Sequence, residues 1–304
     1  MIALSDKQYL VSIVAFPILT VLLIISIGVK GLFVDNIFGY QSLYSYQLGK
    51  ITQAENVETV FIGDSSLGNS INAELYTELS GSKAINISLT GIYGYAGSYN
   101  MMKKVISQET KNVVLMQTLD ILKREVSYEG YLMTLGNLDD VMELSYVERN
   151  KLLSSFFKLV TSPGNLYKIM ESYFKKKSLG EIIENDYVKQ GDPIKIGDHQ
   201  GFSLKANKDK TYFLRKIIAY CKNNNLNLTY THGPIHETIG RQSSEYINKI
   251  NGYLTQLNNL DTMPHLTIIT DTILIDDLHI GDNRDHVHPN YKNLYTEKYF
   301  RLIN

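Results

Sequence analysis

Short apolar segments alternate with amphipathic helical segments through most of this chain, and this alternation limits the fold more than any other feature. "TVFIG" (59–63), "AINISL" (84–89), "NVVLMQTL" (112–119), "LNLTYTHGPI" (226–235) and "LTIIT" (266–270) read as buried strands, with predicted helices between them. Buried strands separated by helices are typical of a parallel sheet covered on both faces. The sequence therefore predicts an α/β fold.

The composition excludes some functions. The 304 residues carry a net charge of -1, which offers no strong field to the phosphates of a nucleic acid. Cys221 is the single cysteine, so an intrachain disulfide framework and a cysteine-based zinc site are both excluded. Nothing in the sequence points to a cofactor.

The first 30 residues differ from the rest. Residues 9–29 contain no charge, and Lys7 and Lys30 bracket them. A helix of that length reaches roughly 30 Å, the thickness of a bilayer core. We expect an uncleaved single transmembrane anchor over residues 1–30. A cleaved signal peptide is the alternative, with Ser26-Ile27-Gly28 as its small-residue site.

The domain organisation follows from where the alternation stops and resumes. Residues 31–57 are predicted as a juxtamembrane connector, and residues 58–304 as one α/β domain. Residues 121–205 show helical pieces but no convincing buried strand, and they are predicted as a helical insertion in that domain.

The first predicted strand ends at "GDSS", which raises the question of what its serines do. Ligands bind beyond the carboxyl ends of the strands in an open parallel sheet, and Ser65 follows such an end. Backbone N–H groups at the start of the next helix would face a developing negative charge. Ser65 is therefore a candidate nucleophile, although Ser65 or Ser66 could equally serve as a helix N-cap.

The loop "GDNRDHVHPN" (281–290) holds the second group of candidates. Asp285 and His288 are three residues apart, and an aspartate can fix the tautomer and orientation of a histidine that acts as a base. The same loop also allows a metal site, because the stretch contains several residue types that bind metals. The members of that alternative set are His279, Asp282, Asp285, His286 and His288.

Together these stretches resemble the SGNH, or GDSL-like, hydrolase superfamily. Gly63-Asp64-Ser65 matches its first block, Asp285-x-x-His288 its last, and "NISLTG" (86–91) its Asn-x-x-x-x-Gly block. The resemblance implies a flavodoxin-like three-layer fold and a catalytic triad of Ser65, Asp285 and His288. It also implies an oxyanion hole formed by the backbone N–H groups of Ser65 and Gly91.

One block departs from the pattern. The family usually has Gly-x-Asn-Asp after the third strand, and aligning Asp120 with its Asp puts Leu119 in place of the Asn. Losing one oxyanion donor typically costs ~2.7–4 kcal/mol in the transition state. Either Thr118 or Gln117 replaces that donor, or turnover is slow.

The departure also resembles membrane-anchored relatives that handle acyl groups on cell-surface polymers, as in alginate acetylation and teichoic-acid D-alanylation. Those relatives imply a domain outside the cytoplasm, a surface polysaccharide or other acylated glycan as substrate, and a membrane-bound O-acyltransferase as partner. The expected function is serine-dependent transfer of an acyl group, acetyl above all, or removal of an ester. A catalytically silent scaffold is the alternative.

Four further residues are candidates for substrate contact, three because they lie near the predicted strand ends and the fourth because it lies beside the proposed base. They are Asp64, Thr118, His232 and His286. No metal is expected in the triad interpretation.

Overall fold

The computed structural model describes most of the chain. The described residues are 6–31, 41–137, 139–175, 183–184, 187–188, 190–196, 201–202, 208–260 and 266–304. Residues 32–40 of the predicted connector, and several stretches of the predicted insertion between residues 176 and 205, lie outside them.

The strands of the described residues, in chain order, are β1 (Thr59–Gly63), β2 (Ala84–Ser88), β3 (Asn112–Gln117), β4 (Ile183–Glu184), β5 (Tyr187–Val188), β6 (Asn227–His232), β7 (Ile235–His236), β8 (Leu266–Ile268) and β9 (Leu274–Ile275). Five of them form one parallel sheet in the order β2-β1-β3-β6-β8. Numbered by position among the five, this is the 2-1-3-4-5 order of doubly wound flavodoxin-like sheets. The predicted parallel α/β fold is therefore confirmed.

The α-helices of the described residues are α1 (Asp6–Gly31), α2 (Gln41–Gln53), α3 (Ser65–Ser70), α4 (Ala73–Ser80), α5 (Gly94–Val105), α6 (Tyr128–Thr134), α7 (Asp139–Met142), α8 (Tyr146–Thr161), α9 (Pro163–Lys175), α10 (Tyr212–Asn223), α11 (Glu237–Gln242), α12 (Ser244–Leu260) and α13 (Lys292–Ile303). Short 3-10 helices occur at Ile121–Lys123, Lys208–Thr211 and Pro289–Tyr291.

Helices cover both faces of the sheet, because successive strand residues point to opposite sides. On one face Phe61 and Val114 pack with α3, α4 and α13 through a buried cluster that includes Tyr299. On the other face the Tyr230 hydroxyl lies 2.9 Å from that of Tyr95 in α5. The central sheet is thus the middle of three layers.

The chain divides into two compact units, and the division differs from the predicted domains. One unit contains residues 1–42 and 137–180, and the other contains residues 43–136 and 181–304. The two ends of the predicted insertion over 121–205 fall in the unit that contains the central sheet, and the bounds of the insertion stay a prediction.

The predicted connector is also shorter than expected. Leu43 in α2 is fully buried, and the Gln47 side chain donates to the Ser88 carbonyl at 2.7 Å. The Lys50 ammonium donates to the Asn86 carbonyl at 2.5 Å. These bonds tie α2 to β2, so α2 is part of the α/β unit.

In the other unit α1 packs against α8 and α9. Gly28 in α1 permits a close approach, since a Cβ there would lie 2.2 Å from the Val160 carbonyl oxygen in α8. Several apolar side chains of α1, Phe16 and Leu19 among them, are mostly exposed. Within the described part of the chain, no helix is both long and apolar enough to cross a membrane.

Candidate active site

The site lies at the carboxyl edge of the central sheet. Gly63 ends β1 directly opposite Ser88, the last residue of β2. Ser65 and Gly91 follow these two strand ends, and Thr118 follows the end of β3. Parallel pairing therefore brings to one edge the three segments that the sequence analysis singled out.

Asp64 organises the turn between β1 and α3. Its carboxylate is buried, with Oδ1 accepting from the Ser66 backbone N at 3.0 Å and from Ser66 Oγ at 2.6 Å. Oδ2 accepts from the Thr118 backbone N at 3.0 Å. Burial and the nearby charge of Asp285 raise the pKa of Asp64, while these hydrogen bonds oppose the rise. Asp64 acts as the N-cap of α3, and its burial does not support the predicted substrate contact.

The two serines of the motif have different environments. Ser66 is fully buried with its hydroxyl committed to Asp64, and a Cβ at Gly233 would lie only 2.1 Å from Ser66 Oγ. Ser65 is partly exposed, and its hydroxyl makes no hydrogen bond to any described residue. Its carbonyl is held by the Asn69 side chain at 2.7 Å. Ser66 is thus the structural serine, and Ser65 the one that substrate can reach.

Asp285 lies inside the site, at 5% exposure. Its Oδ2 accepts from the Thr118 hydroxyl at 2.6 Å, and its Oδ1 lies 3.8 Å from His286 Nε2. Both hydrogen-bond donors of Thr118 are therefore used within the protein, one by Asp285 and one by Asp64. This occupancy argues against Thr118 as a substrate contact or as the missing oxyanion donor.

His286 is a second inward-facing residue of the loop. Its Nδ1 lies 2.7 Å from Asp282 Oδ1, and Asp282 also accepts from the Gly191 backbone N at 3.0 Å. Burial alone would lower the pKa of His286, but its bond to Asp282 and the charges of Asp285, Asp282 and Asp64 raise it. Its Nε2 is buried, so the predicted substrate contact by His286 is not supported.

His288 differs from the prediction in what its ring contacts. Its Nδ1 accepts from the Asn290 backbone N at 3.3 Å, which makes it the N-cap of the 3-10 helix Pro289–Tyr291. Among the described residues its ring makes no hydrogen bond to Asp285 or Ser65. Asp285 is instead bonded to Thr118 and lies beside His286. Catalytic hydrogen bonds are often long or unformed in a protein without substrate.

The segment after β3 contains no side-chain amide at the position of the missing Asn. Leu119 is only 1% exposed. Gln117 is fully buried, and its Nε2 donates to Ser98 Oγ at 2.9 Å. Gln117 therefore offers no donor to an oxyanion.

The oxyanion positions that the resemblance implies are structurally available. Gly91 lies in the turn after β2 and is partly exposed, and its backbone N–H donates to no acceptor among the described residues. Ser65 begins α3, where the first N–H groups have no intrahelical acceptor.

His232, at the end of β6, faces away from solvent. Its Nε2 lies 2.7 Å from the Asn251 side chain in α12, and burial lowers its pKa to about 4. The ring is therefore neutral at pH 7 and packed inside the protein. This position does not support the predicted contact with substrate.

The alternative metal site is not formed. His279 pairs with Asp276 at 3.0 Å, and His286 pairs with Asp282. Among the described residues, no group of three or more His, Cys, Asp or Glu side chains converges as metal ligands would.

Two residues that the sequence analysis missed belong to the site. The Gln190 side chain donates to Asn69 in α3 and to the Val287 carbonyl at 2.7 Å, and it accepts from Asp282 N at 3.2 Å. It therefore joins α3 to the C-terminal loop. Arg124 lies against Gly91. Neither residue lies in a motif, and no sequence signal marked either of them.

Comparisons with known proteins found distant similarity to solved structures. No protein-family model and no curated protein matches the chain. A solved structure of a G-D-S-L family lipolytic protein from Desulfitobacterium hafniense is similar at TM-score 0.36 and 9% identity, covering 81% of this chain and 99% of that one.

Two more solved structures are similar at the same level. One is a protein named as a platelet activating factor from Streptococcus pneumoniae, at TM-score 0.39 and 12% identity, over 85% of this chain and 91% of that one. The other is an acetyl xylan esterase from Butyrivibrio proteoclasticus, at TM-score 0.34 and 9% identity, over 82% of this chain and 64% of that one. Overlaps of this size carry no argument about activity, which must come from the site itself.

Proposed function

We propose that this protein cleaves or transfers esters through an acyl intermediate on Ser65. The observation that supports this most directly is the contrast at the β1 edge. Ser66 is buried and bonded to Asp64, whereas the neighbouring Ser65 hydroxyl is partly exposed and unbonded among the described residues. A serine presented in this way, beside a buried polar network, is suited to act as a nucleophile.

The proposed reaction has two halves. Ser65 Oγ attacks the ester carbonyl carbon, and its proton passes to His288 while the backbone N–H groups of Ser65 and Gly91 hold the oxyanion. The bond to the leaving alcohol breaks, the alcohol takes the proton from His288, and an acyl-serine remains. Water or a sugar hydroxyl then attacks the acyl carbon and gives its proton to His288. The bond between the acyl carbon and Ser65 Oγ breaks, and His288 returns the proton to Ser65 Oγ.

His288 must change its hydrogen bonding to take part. As the ring stands, Nδ1 accepts from Asn290 N, so a neutral His288 carries its proton on Nε2. Rotation of the ring away from Asn290 frees Nδ1 and lets a ring nitrogen accept the serine proton. Asp285, whose Oδ1 has no hydrogen-bond partner, is the carboxylate that would stabilise the resulting imidazolium.

The substrate we propose is an acylated polysaccharide at the cell surface, with a membrane-bound O-acyltransferase as partner when the reaction is a transfer. Support comes from the sequence resemblance to membrane-anchored relatives. The exposed apolar side chains of α1, such as Phe16 and Leu19, also support attachment of the chain to a membrane.

A second candidate function is a catalytically silent scaffold that binds a glycan or a membrane enzyme. One observation favours it: the His288 ring makes no hydrogen bond to Ser65 or Asp285 in the described part of the chain. A scaffold has no need of such a bond.

Ester hydrolysis separates the two functions. We expect the purified protein to release p-nitrophenol from p-nitrophenyl acetate, with Ser65→Ala reducing the rate to background. Ser66→Ala is the matched control, because it removes a neighbouring hydroxyl that substrate cannot reach. Equal rates for the wild type and Ser65→Ala would favour the scaffold.

Adding an oligosaccharide acceptor to the same assay separates transfer from hydrolysis. Acetylated oligosaccharide, detected by mass spectrometry, would show transfer by the isolated protein. Free acetate alone, with and without the acceptor, would assign hydrolysis to it.

A further inference from the structure

The oxyanion site lacks the side-chain donor that the third block normally supplies. Leu119 holds that position, Thr118 has both of its donors committed to Asp64 and Asp285, and Gln117 is bonded to Ser98. A developing oxyanion would therefore meet only backbone N–H groups unless a side chain from elsewhere supplies a donor.

We propose that Arg124 is that donor and that its guanidinium Nη1 binds the substrate carbonyl oxygen as negative charge develops there. This inference rests on the proposed function, since it assigns a role in the same ester reaction. It makes Arg124 a catalytic residue in place of an asparagine.

The position of the guanidinium is the first support. A Cβ built on Gly91 would lie 1.9 Å from Arg124 Nη1 and 3.0 Å from Cζ, so the guanidinium lies directly against the Gly91 backbone. Gly91 is the residue whose N–H is expected to face the oxyanion. An oxygen held by that N–H would be within reach of the adjacent guanidinium. A side chain at residue 91 would displace the Arg124 guanidinium, so the close approach requires a glycine there.

The second support is that Arg124 is fixed in place. Its backbone N donates to the Ile121 carbonyl at 3.2 Å, which ends the 3-10 helix that follows β3. Its Nη2 lies 2.7 Å from Asp120 Oδ1, and the other Asp120 oxygen accepts from Arg284 Nη2 at 3.2 Å. Asp120 therefore holds Arg124 from one side, and a prepositioned donor spends little energy on reorganisation during the reaction.

The third support is that Nη1 is available. Among the described residues, Arg124 pairs with Asp120 through Nη2, and no hydrogen bond engages Nη1. The side chain is 38% exposed, so substrate can reach it. An arginine donates through several N–H groups in a fixed plane, so one can bind Asp120 while another faces an oxyanion.

The local charge suits the role. Burial alone would lower the pKa of Arg124, but the charges of Asp120, Asp64 and Asp285 outweigh it, so the cation is favoured. A charged donor forms a stronger hydrogen bond to an oxyanion than a neutral amide does. Arg124 is thus a chemically adequate replacement for the missing Asn.

The test measures hydrolysis of p-nitrophenyl acetate by Arg124→Gln and Arg124→Lys. We expect kcat to fall roughly 10²–10³-fold in Arg124→Gln with KM little changed, the usual result of losing one oxyanion donor. Arg124→Lys should retain part of the rate, because it keeps the charge. Arg241→Gln is the matched control, since Arg241 also pairs with an acid on its own segment, Glu237, but its side chain is mostly exposed.

A purely structural role for Arg124 predicts a different pattern. With Arg124 as the donor, added guanidinium should restore part of the rate of Arg124→Ala but none of the rate of Ser65→Ala. With a purely structural role, added guanidinium should not restore the rate of Arg124→Ala. A kcat for Arg124→Gln within about threefold of wild type, with circular dichroism unchanged, would overturn the inference while leaving the proposed function intact.

Two other outcomes also decide the matter. A higher KM with unchanged kcat would assign Arg124 to substrate binding and overturn the role in the transition state. A wild-type protein whose activity does not depend on Ser65 would overturn the proposed function, and the role of Arg124 with it.

Discussion

The turn after β1 and the loop over residues 281–290 both contribute to the candidate site, where Thr118 bonds to Asp64 of one and Asp285 of the other, and they are organised differently. In the turn, Asp64 uses both carboxylate oxygens to fix Ser66 and Thr118, which leaves Ser65 exposed at a defined position. In the loop, Asp285 faces inward, whereas the His288 ring caps a short helix.

In the proposed reaction, the nucleophile Ser65 is therefore held in position, whereas the base His288 is not. The turn is buried against the sheet, so its polar groups must be paired within the protein. The loop contributes one buried carboxylate and one partly exposed imidazole, and the imidazole has an alternative backbone partner in Asn290. Substrate binding is the step at which we expect the His288 ring to change partners.

The largest expected effect concerns the choice of base in the loop. We predict that His288→Ala slows reaction of Ser65 with a fluorophosphonate by ~10²–10⁴-fold, the usual contribution of a general base. His286→Ala is the paired control and should slow it much less, because His286 Nε2 is buried against Asp285. The reverse order of effects would move the base to His286.

The next effect compares two helix caps. Asp64→Ala removes a buried N-cap and leaves the Ser66 hydroxyl and the Thr118 N–H without acceptors, so we expect the free energy of unfolding to fall by about 3 kcal/mol. Asn72 caps α4 nearer the surface, with its side chain accepting from Glu74 N at 3.0 Å. Asn72→Ala should lower the free energy of unfolding by about 1 kcal/mol. Urea denaturation of both variants measures the two free energies of unfolding. Equal losses of that free energy would contradict the stabilising role of the buried network around Asp64.

A smaller effect tests the link between the two regions. Thr118→Val removes the hydroxyl that bonds Asp285 and should lower the free energy of unfolding by about 1–3 kcal/mol, since it leaves a buried oxygen without a donor. Thr161→Val removes an exposed hydroxyl bonded to a carbonyl of its own helix and is expected to change stability by less than about 0.5 kcal/mol. Equal free energies of unfolding for the two variants would mean that Thr118 does not couple the turn to the loop.

The smallest effect is a pH dependence of the loop. Because the folded protein raises the pKa of His286, protonated His286 contributes stability that is fully present below its unfolded pKa of about 6.5 and is lost as the pH rises through the folded value. The excess stability of wild type over His286→Gln should therefore shrink at alkaline pH.

The contribution of Asp282 to stability has the opposite pH dependence. Burial would raise its pKa, but its bonds to His286 and to Gly191 N lower it, so its contribution is present above about pH 3.9 and is lost as the pH falls. Asp282→Asn should remove much of the alkaline pH dependence that His286 causes. Thermal unfolding of both variants across the pH range checks this, and parallel curves for wild type and His286→Gln would contradict the ion pair.

The sequence predicted the sheet well because each strand carries its own signal. "TVFIG" is buried along its whole length, and Gly63 is required where β1 approaches β3, since a Cβ there would lie 1.8 Å from the Met116 carbonyl oxygen. Such local patterns persist in the fold, so the strands and their parallel direction could be inferred.

The contacts of the site could not be predicted as well, because they join residues far apart in the chain. The pairing of Thr118 with Asp285 spans 167 residues, and Gln190 lies in a stretch with no periodic pattern. Spacing predicted that Asp285 would bond to the His288 ring, but the backbone N of Asn290 donates to that ring instead. The division into two compact units also has little sequence signal, since the packing of α1 against α8 leaves no mark on spacing.

The most direct test of the account is to find the residue that reacts with a serine-directed fluorophosphonate, by mass spectrometry of the labelled peptide. The account predicts one adduct on Ser65 in the wild type and in Ser66→Ala, and none in Ser65→Ala. An adduct on Ser66, or no adduct in folded wild-type protein, would contradict it.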